Sequence, residues 1–332
     1  MRGNPWVGTP PPDWIQQDMC RQAQPGGPIS HWRVPGCGPG PSDRIEFIMA
    51  NPQPWYRSPW AMGAGVVIGG IAAGALLAGG VRLAQRLGRA RADCTEVGSG
   101  GGVINGIRYL ERIRGGADPN AALPMVLVFH SKGARPEGFA AGFGGIGPAR
   151  LILPEGPYAT QGGGRKWWVE GIKSAVREGN MAEATAQWQH ASDQIANFVD
   201  QITQCRPTLG KPIITGSSQG GEMTLLVAST EPRRVYKGVA VASYLLEPFW
   251  TSRMAPVDML HGTGDRTVPF SWAKQYAEHM MARGAPLTFT AFSSPGHGVT
   301  SQMSRAWIGR LRELVDEVHR GEASGFFQRT AA

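Results

Sequence analysis

The sequence lacks the familiar signatures of a bound cofactor. Its 332 residues contain no zinc-ligand spacing, no P-loop and no dinucleotide fingerprint, so no cofactor is expected. Nucleic acid is not an expected partner either, because the net charge of +8 is spread along the chain and arginines cluster in one place only. That cluster directly follows a long apolar stretch, where it suits anionic lipid headgroups better.

Residues 1–59 lack the periodic apolar pattern of a packed core. They are dense in proline, glycine and tryptophan and show little periodicity. This composition opposes a packed core and favours an extended or loop-rich segment. Its tryptophans suggest docking onto a protein partner or a membrane interface. They are Trp6, Trp14, Trp32 and Trp55, and Trp60 follows directly after the region.

Charge is absent from residues 60–81, a run of twenty-two residues. The run is long enough to cross about 30 Å of hydrocarbon as a helix. Aromatic residues precede it and the basic linker of residues 82–102 follows it, as expected at the two faces of a bilayer. We therefore expect a single-pass transmembrane helix, with a buried glycine-rich helix or loop as the alternative. Its spaced glycines would also permit helix–helix self-association.

Cysteine is scarce, and the four present bear on which side of a membrane the C-terminal part occupies. The arginines after the apolar run favour the cytoplasm by the positive-inside rule. A disulfide between Cys94 and Cys205 would instead require an oxidising compartment. Cys20 and Cys37 lie before the run, so a single-span protein cannot oxidise both pairs. Connectivity cannot be read from sequence, so the arginines favour a cytoplasmic domain and leave a periplasmic or extracellular one open.

Residues 216–220 read Gly-Ser-Ser-Gln-Gly and stand between a strand-like apolar run and a helix-like run. Between a strand and a helix, Gly-x-Ser-x-Gly is the pattern of a nucleophile elbow. Glycine at its ends lets the strand and the helix approach closely. We therefore expect Ser218 to be the nucleophile. Ser217 is a poorer candidate, because a shifted frame puts Thr215 where the first glycine belongs.

A serine hydroxyl needs an imidazole to take its proton and a carboxylate to orient that imidazole. After a nucleophile elbow these partners follow in the order carboxylate, then histidine. Asp265 lies in a loop after the strand-like residues 257–261, and His297 lies between two glycines after the strand-like residues 287–292. Each alone could be an ordinary loop residue. The ordered set predicts the triad Ser218, Asp265 and His297.

Several motifs occur together in the C-terminal two thirds. They are Val-Leu-Val-Phe-His at 126–130, Leu-Ile-Leu-Pro-Glu-Gly-Pro at 151–157, Gly-Arg-Lys-Trp-Trp at 164–168, the serine pentapeptide, His-Gly at 261–262 with Asp265, and Gly-His-Gly at 296–298. With these motifs, residues 124–314 resemble the α/β-hydrolase superfamily, specifically its phospholipase/carboxylesterase and dienelactone-hydrolase-like branch. The resemblance implies an α/β-hydrolase domain over residues 103–325, followed by a tail of residues 326–332. It also implies serine esterase, thioesterase or related acyl hydrolase activity.

The resemblance further implies an oxyanion hole made by two backbone amides. By position, these amides belong to Lys132 and Gln219. Ser131 stands where the family usually has glycine. A serine has fewer backbone conformations available than glycine, so the alternatives are a distorted hole and a turn that tolerates the change.

Short apolar runs alternate with helical patterns, which predicts a mostly parallel sheet with helices on both faces. The strand-like runs are residues 125–130, 150–154, 211–216, 238–246, 257–261 and 287–292. Asp265 follows Ser218 by only 47 positions, so no cap domain is expected and the pocket should be open. The residues expected to line it, each equally compatible with ordinary packing, are Tyr158, Trp167, Trp168, Tyr244 and Leu245.

Together these features predict a membrane-anchored serine hydrolase that cleaves small-molecule or lipid esters, or thioesters, through an acyl-enzyme. One alternative is a hydrolase fold retained without turnover, serving as a structural or interaction protein of a membrane assembly. Another is an outward-facing esterase that acts on an extracellular polymer, such as a feruloyl-type esterase. Membrane orientation separates this last alternative from a cytoplasmic deacylase.

Overall fold

In the part of the chain that the structure describes, eight strands form the central sheet, and, numbered along the sequence, they lie in the spatial order 1-2-4-3-7-8-9-10. The computed structural model describes residues 94–169 and 178–322. Its strands are β1 (Gly101–Ile104), β2 (Ile107–Arg114), β3 (Leu123–Phe129), β4 (Ala149–Pro154), β5 (Tyr158–Ala159), β6 (Arg165–Lys166), β7 (Thr208–Ser217), β8 (Gly238–Val241), β9 (Val257–Gly262) and β10 (Leu287–Phe292). From β4 to β10 the neighbours in the large sheet are parallel, whereas β1 and β2 join antiparallel at one edge. The mostly parallel sheet is therefore confirmed. Strands β5 and β6 form a separate hairpin.

Helices cover both faces of this sheet, as predicted. They are α1 (Pro136–Ala140), α2 (Met181–Cys205), α3 (Gln219–Thr230), α4 (Phe270–Ala282) and α5 (Ser301–His319). Alternate residues of β7 show the two sides: Ile213 belongs to the core under α5, whereas Ile214 faces Gly238 and Thr224 of α3. Helix α2 lies against α3, where the Ser192 and Thr230 hydroxyls are 2.5 Å apart.

Helix α5 closes the face opposite α3. Its apolar stripe is buried on the sheet and includes Trp307, Leu311, Leu314, Val315 and Val318. The Nε1 atom of Trp307 donates to the hydroxyl of Thr215 across 2.6 Å. Thr300 caps the helix by accepting from the Met303 amide. This helix therefore fixes the segment that follows His297 firmly on the sheet.

A disulfide joins Cys94 to Cys205 across 111 positions of sequence. Beside it, the fully buried Arg206 donates to the Glu111 carboxylate across 2.8 Å and to the Thr95 carbonyl across 2.9 Å. Arg150 also pairs with Glu111. The bridge and the ion cluster tie the first described residues to the start of β7, the strand that leads to Ser218.

The predictions for residues 1–93 lie outside the described residues. They include the apolar span of residues 60–81 and the cysteines Cys20 and Cys37. Within residues 94–169 and 178–322, no helix combines the length and the apolar composition needed to span a bilayer.

Candidate active site

Ser218 lies at a sharp turn between β7 and α3. Its backbone has φ of 54° and ψ of −124°, a conformation that is strained for a non-glycine residue. Its amide donates to the Val241 carbonyl of β8 across 2.9 Å. A Cβ atom on Gly216 would lie 2.5 Å from the Phe129 oxygen, and one on Gly220 would lie 2.0 Å from it. Both glycines are therefore required by the close approach of β3 to this turn.

The structure brings Ser218, Asp265 and His297 together. The Nδ1 atom of His297 lies 2.7 Å from Oδ2 of Asp265, and its Nε2 atom lies 2.8 Å from Oγ of Ser218. An ionised carboxylate can only accept, so Nδ1 carries the proton and Nε2 accepts from the serine hydroxyl. This arrangement can take a proton from Ser218 and stabilise the resulting imidazolium.

Asp265 is held in its ionised form by its surroundings. Its Oδ1 atom accepts from the Thr267 and Val268 amides across 2.9 and 3.0 Å. Burial by itself raises the pKa of Asp265, but hydrogen bonds from His261 and His297 and the Val268 amide outweigh it, and the pKa lies well below its usual range. His261 therefore also contacts the carboxylate of the site, with Nε2 3.4 Å from Oδ2.

Ser131 fits its turn without a left-handed backbone, because Gly133 adopts the positive φ of 83° instead. The Ser131 hydroxyl donates to the Ser217 carbonyl across 2.9 Å. The β5–β6 hairpin holds the same loop: the Gly133 amide donates to the Arg165 carbonyl, and the Arg165 amide donates to the Ala134 carbonyl. Serine at this position therefore adds a bond between the loop of Lys132 and the end of β7.

Gln219, directly after the nucleophile, is the first residue of α3. Its side-chain oxygen accepts from the Trp167 amide across 2.9 Å, and its side-chain nitrogen donates to the Trp168 carbonyl across 3.4 Å. Trp167 also donates from Nε1 to the His130 carbonyl across 2.9 Å. These bonds tie the Gln219 side chain and the His130 backbone to the segment that carries Trp167 and Trp168.

Most of the residues predicted to line the pocket are deeply buried. Trp167 stacks on His130, with ring centroids 5.0 Å apart, and Trp168 packs against Trp188 at 4.5 Å. Tyr244 and Leu245 are also buried, whereas Tyr158 on the hairpin is exposed. The two tryptophans thus support the loops of the site through packing and hydrogen bonds.

No separate domain lies between Ser218 and Asp265. Residues 219–264, all of which the structure describes, form α3, β8, a short 3₁₀ turn at Glu247–Phe249 and β9. The chain therefore reaches the carboxylate without an inserted cap, as the spacing predicted.

Sequence reasoning missed Glu222 in the first turn of α3. The side chain is buried, and burial raises its pKa to about 8, although the charge of Lys132 lowers it in part. A glutamate in the first turn of a helix is usually explained by its favourable interaction with the helix dipole. The position of Glu222 in the sequence therefore did not indicate that it is buried. A buried carboxyl that does not belong to the triad thus lies four residues after the nucleophile.

The sequence model of the phospholipase/carboxylesterase family matches residues 111–311. Among solved structures, esterase PE8 has 18% identity and a TM-score of 0.51, over 58% of this chain and 93% of that one. Acyl-protein thioesterase 2 of Zea mays has 14% identity and a TM-score of 0.47, over 63% of this chain and 99% of that one. SOBER1 of Arabidopsis thaliana has 21% identity and a TM-score of 0.46, over 57% and 99%. No protein of curated function matches the chain in sequence.

Proposed function

Because this chain belongs to the phospholipase/carboxylesterase family of α/β-hydrolases, we propose that it is a serine hydrolase of carboxylic esters or thioesters. The observation that carries the proposal is the hydrogen-bonded chain from Ser218 through His297 to Asp265, with links of 2.8 and 2.7 Å. A nucleophile, a base and an orienting carboxylate in contact are the requirement for acyl transfer through serine.

The reaction has two halves. In the first, Ser218 Oγ attacks the acyl carbon as its proton passes to His297 Nε2, and the carbonyl electrons move onto the oxygen. The amides of Lys132 and Gln219 hold this oxyanion. The tetrahedral intermediate then collapses, the bond to the leaving alcohol or thiol breaks, and His297 returns the proton to that group. In the second half, His297 activates water, which releases the carboxylic acid and restores Ser218.

The strained turn at Ser218 weighs against a hydrolase fold kept only as a scaffold. Left-handed backbone at a serine costs about 1–3 kcal/mol, and a scaffold gains nothing from this conformation. The turn does serve catalysis, because it lifts the hydroxyl to His297 at the end of the sheet. The site therefore supports turnover better than the alternative of a silent interaction protein.

The catalytic domain is proposed to work in an oxidising compartment, outside the cytoplasm. The Cys94–Cys205 disulfide supports this location, because such bridges persist where thiols are not kept reduced. The arginines of residues 82–91 favour the opposite side, but they lie in the part of the chain that the structure does not describe. The membrane anchor at residues 60–81 stays a prediction. With the domain outside, esters of extracellular polymers, including feruloyl-type esters, become a second substrate class beside small-molecule and lipid esters.

Hydrolysis of short p-nitrophenyl esters tests the activity. Wild type should release p-nitrophenol, and Ser218→Ala should lower kcat by about 10⁴-fold or more. Ser229→Ala is the matched control, since Ser229 lies near the end of α3, the helix that begins directly after Ser218, and its buried hydroxyl has no hydrogen-bond partner among the described residues. Full activity in Ser218→Ala would refute the assignment.

A further inference from the structure

His130 and Ser131 directly precede Lys132, whose amide is one of the two proposed oxyanion donors. The Gly156 amide donates to Nε2 of His130 across 2.9 Å. A backbone N–H can only donate, so Nε2 carries no proton and the neutral ring holds its proton on Nδ1. That Nδ1 atom lies 2.9 Å from the Ser131 carbonyl oxygen. The buried imidazole of His130 therefore donates to the peptide group that joins Ser131 to Lys132.

This peptide group contains the carbonyl of Ser131 and the N–H of Lys132. Because it is trans and planar, its carbonyl and its N–H point in opposite directions. The Ser131 carbonyl also accepts from the Ala134 amide across 3.0 Å. Two donors on this oxygen fix the direction of the Lys132 N–H, which has no backbone acceptor within residues 94–169 and 178–322. Hydrogen bonds to the carbonyl also polarise the group, so its N–H becomes a stronger donor.

The Ser131 side chain ties the same peptide group to the nucleophile turn. Its hydroxyl donates to the Ser217 carbonyl across 2.9 Å, and the Ser217 hydroxyl lies 2.8 Å away and can donate to it in return. Ser217 directly precedes Ser218. A glycine at position 131, the usual residue of the family, has no hydroxyl to make this bond. Ser131 therefore fixes the loop of Lys132 relative to the nucleophile.

Trp167 holds the His130 ring in place. The two rings stack with centroids 5.0 Å apart, and Nε1 of Trp167 donates to the His130 carbonyl across 2.9 Å. His130 is only 1% exposed, so water does not compete for its Nδ1 proton. The ring is thus held in one orientation by stacking and by bonds at both nitrogens. Such preorganisation is what an oxyanion hole requires.

We propose that His130 and Ser131 are positioning residues of the oxyanion hole, which hold the Lys132 amide in the direction that the tetrahedral intermediate needs. The inference rests on the proposed esterase function and adds two residues to its site. Both side chains act through the peptide group between positions 131 and 132, without touching the substrate. Because the oxyanion forms only after Ser218 attacks, their loss should lower kcat and leave KM nearly unchanged.

Two substitutions of nearly the same shape isolate the bond from His130. His130→Leu and His130→Asn both lose the Gly156 bond and the stacking on Trp167, but only the asparagine amide can replace Nδ1 as a donor. With p-nitrophenyl butyrate, His130→Leu should lower kcat by about 10–100-fold, and His130→Asn should stay within about fivefold of wild type. Ser131→Ala should lower kcat about tenfold. In each variant KM should change by less than about threefold.

Inhibition by an alkyl trifluoromethyl ketone reports on the hole directly. Oγ of Ser218 adds to the ketone carbon, its proton passes to His297, and the carbonyl electron pair moves to the oxygen. The resulting oxyanion occupies the same hole as the intermediate. The inhibition constant should therefore rise in His130→Leu and in Ser131→Ala by about the factor by which kcat falls.

His319→Leu is the control. His319 also contacts a backbone carbonyl, that of Pro148, across 2.8 Å. Pro148 precedes β4 and so lies at the opposite edge of the sheet from Ser218. This variant should keep the wild-type kcat and inhibition constant. Circular dichroism shows whether each variant has folded, and Ser131→Ala suffices for the test if His130→Leu does not fold.

Three results would overturn the inference. One is equal kcat in folded His130→Leu and His130→Asn, or wild-type kcat in Ser131→Ala, which would mean that these side chains serve packing alone. Another is a fall in kcat without a rise in the inhibition constant of the ketone. The third is a wild-type protein that hydrolyses no ester and whose Ser218 does not react with a fluorophosphonate. Only this last result also refutes the esterase proposal.

Discussion

The Nδ1 atom of His297 lies 2.7 Å from Oδ2 of Asp265, although 32 positions of sequence separate the two residues. Asp265 follows β9 and His297 follows β10, and these neighbouring strands are parallel. Parallel strands bring their carboxyl ends to the same edge of a sheet. The contact therefore follows directly from the strand order, and Ser218 lies at the same edge after β7.

Replacing the carboxylate should impair catalysis while leaving the fold intact. Asp265→Asn removes the charge that orients and stabilises the His297 imidazolium, so kcat should fall by about 10³–10⁴-fold. Asp258→Asn is a matched control on β9, where the Asp258 carboxylate pairs with Arg310. It should change kcat by less than about twofold. Equal losses in the two variants would show that Asp265 acts only through stability.

Titration of the Glu222 carboxyl should make the free energy of unfolding fall as pH rises. Its pKa is raised from an ordinary value of 4.5 to about 8, so the folded protein holds this proton more tightly than the unfolded chain. The stabilisation is complete below about pH 4.5 and is lost as pH rises toward 8, by at most about 1.4 kcal/mol per pH unit.

Urea denaturation between pH 5 and 9 measures this effect. Glu222→Gln lacks the titration, so its free energy of unfolding should gain on that of wild type as pH rises and level off above about pH 8. The exposed Glu278→Gln on α4 serves as the control. A difference between Glu222→Gln and wild type that does not vary with pH would contradict the buried, protonated carboxyl.

The nucleophile motif could be recognised from the sequence because it is local. The pentapeptide has its own strand and helix on either side, and the glycines at 216 and 220 are required by the approach of Phe129. Spacing alone also predicted that no cap domain separates Ser218 from Asp265. These features depend on a few neighbouring residues, which the sequence displays directly.

Features that depend on tertiary contacts could not be predicted from the sequence. The sequence run 238–246 looks like one strand, but β8 ends at Val241 because Ala242 adopts a left-handed φ of 50°. Strand β2 was not recognised in the sequence because it carries Glu111. This carboxylate can be buried because Arg150 and Arg206 pair with it. The same applies to Glu222, since nothing in its local sequence distinguishes a buried glutamate from a solvated one.

Breaking the disulfide should lower stability. A bridge over 111 positions restricts the unfolded chain, and its loss costs about 2–5 kcal/mol. The double variant Cys94→Ser/Cys205→Ser should therefore unfold at lower urea concentration than wild type. Reductant should shift wild type in the same direction and leave the double variant unchanged. Identical wild-type curves with and without reductant would contradict the bridge.

Gly220 should tolerate no larger side chain, because the backbone of β3 approaches it closely. A Cβ there would lie 2.0 Å from the Phe129 carbonyl oxygen, a backbone atom that cannot move aside. Gly220→Ala should therefore destabilise the protein by more than about 3 kcal/mol or prevent folding. Gly309→Ala in α5 has open space around the added carbon and should stabilise by about 0.5–1 kcal/mol. Thermal melting distinguishes the two, and a Gly220→Ala melt like that of wild type would refute the packing described for the elbow.

Labelling by a fluorophosphonate, followed by mass spectrometry of the modified peptide, tests the catalytic serine most directly. We expect one adduct, on Ser218, which forms in wild type and in Ser217→Ala and is lost in Ser218→Ala. Asp265→Asn should react far more slowly than wild type. An adduct on Ser217, or a folded wild-type protein that resists the reagent, would contradict the assignment of Ser218 as the nucleophile.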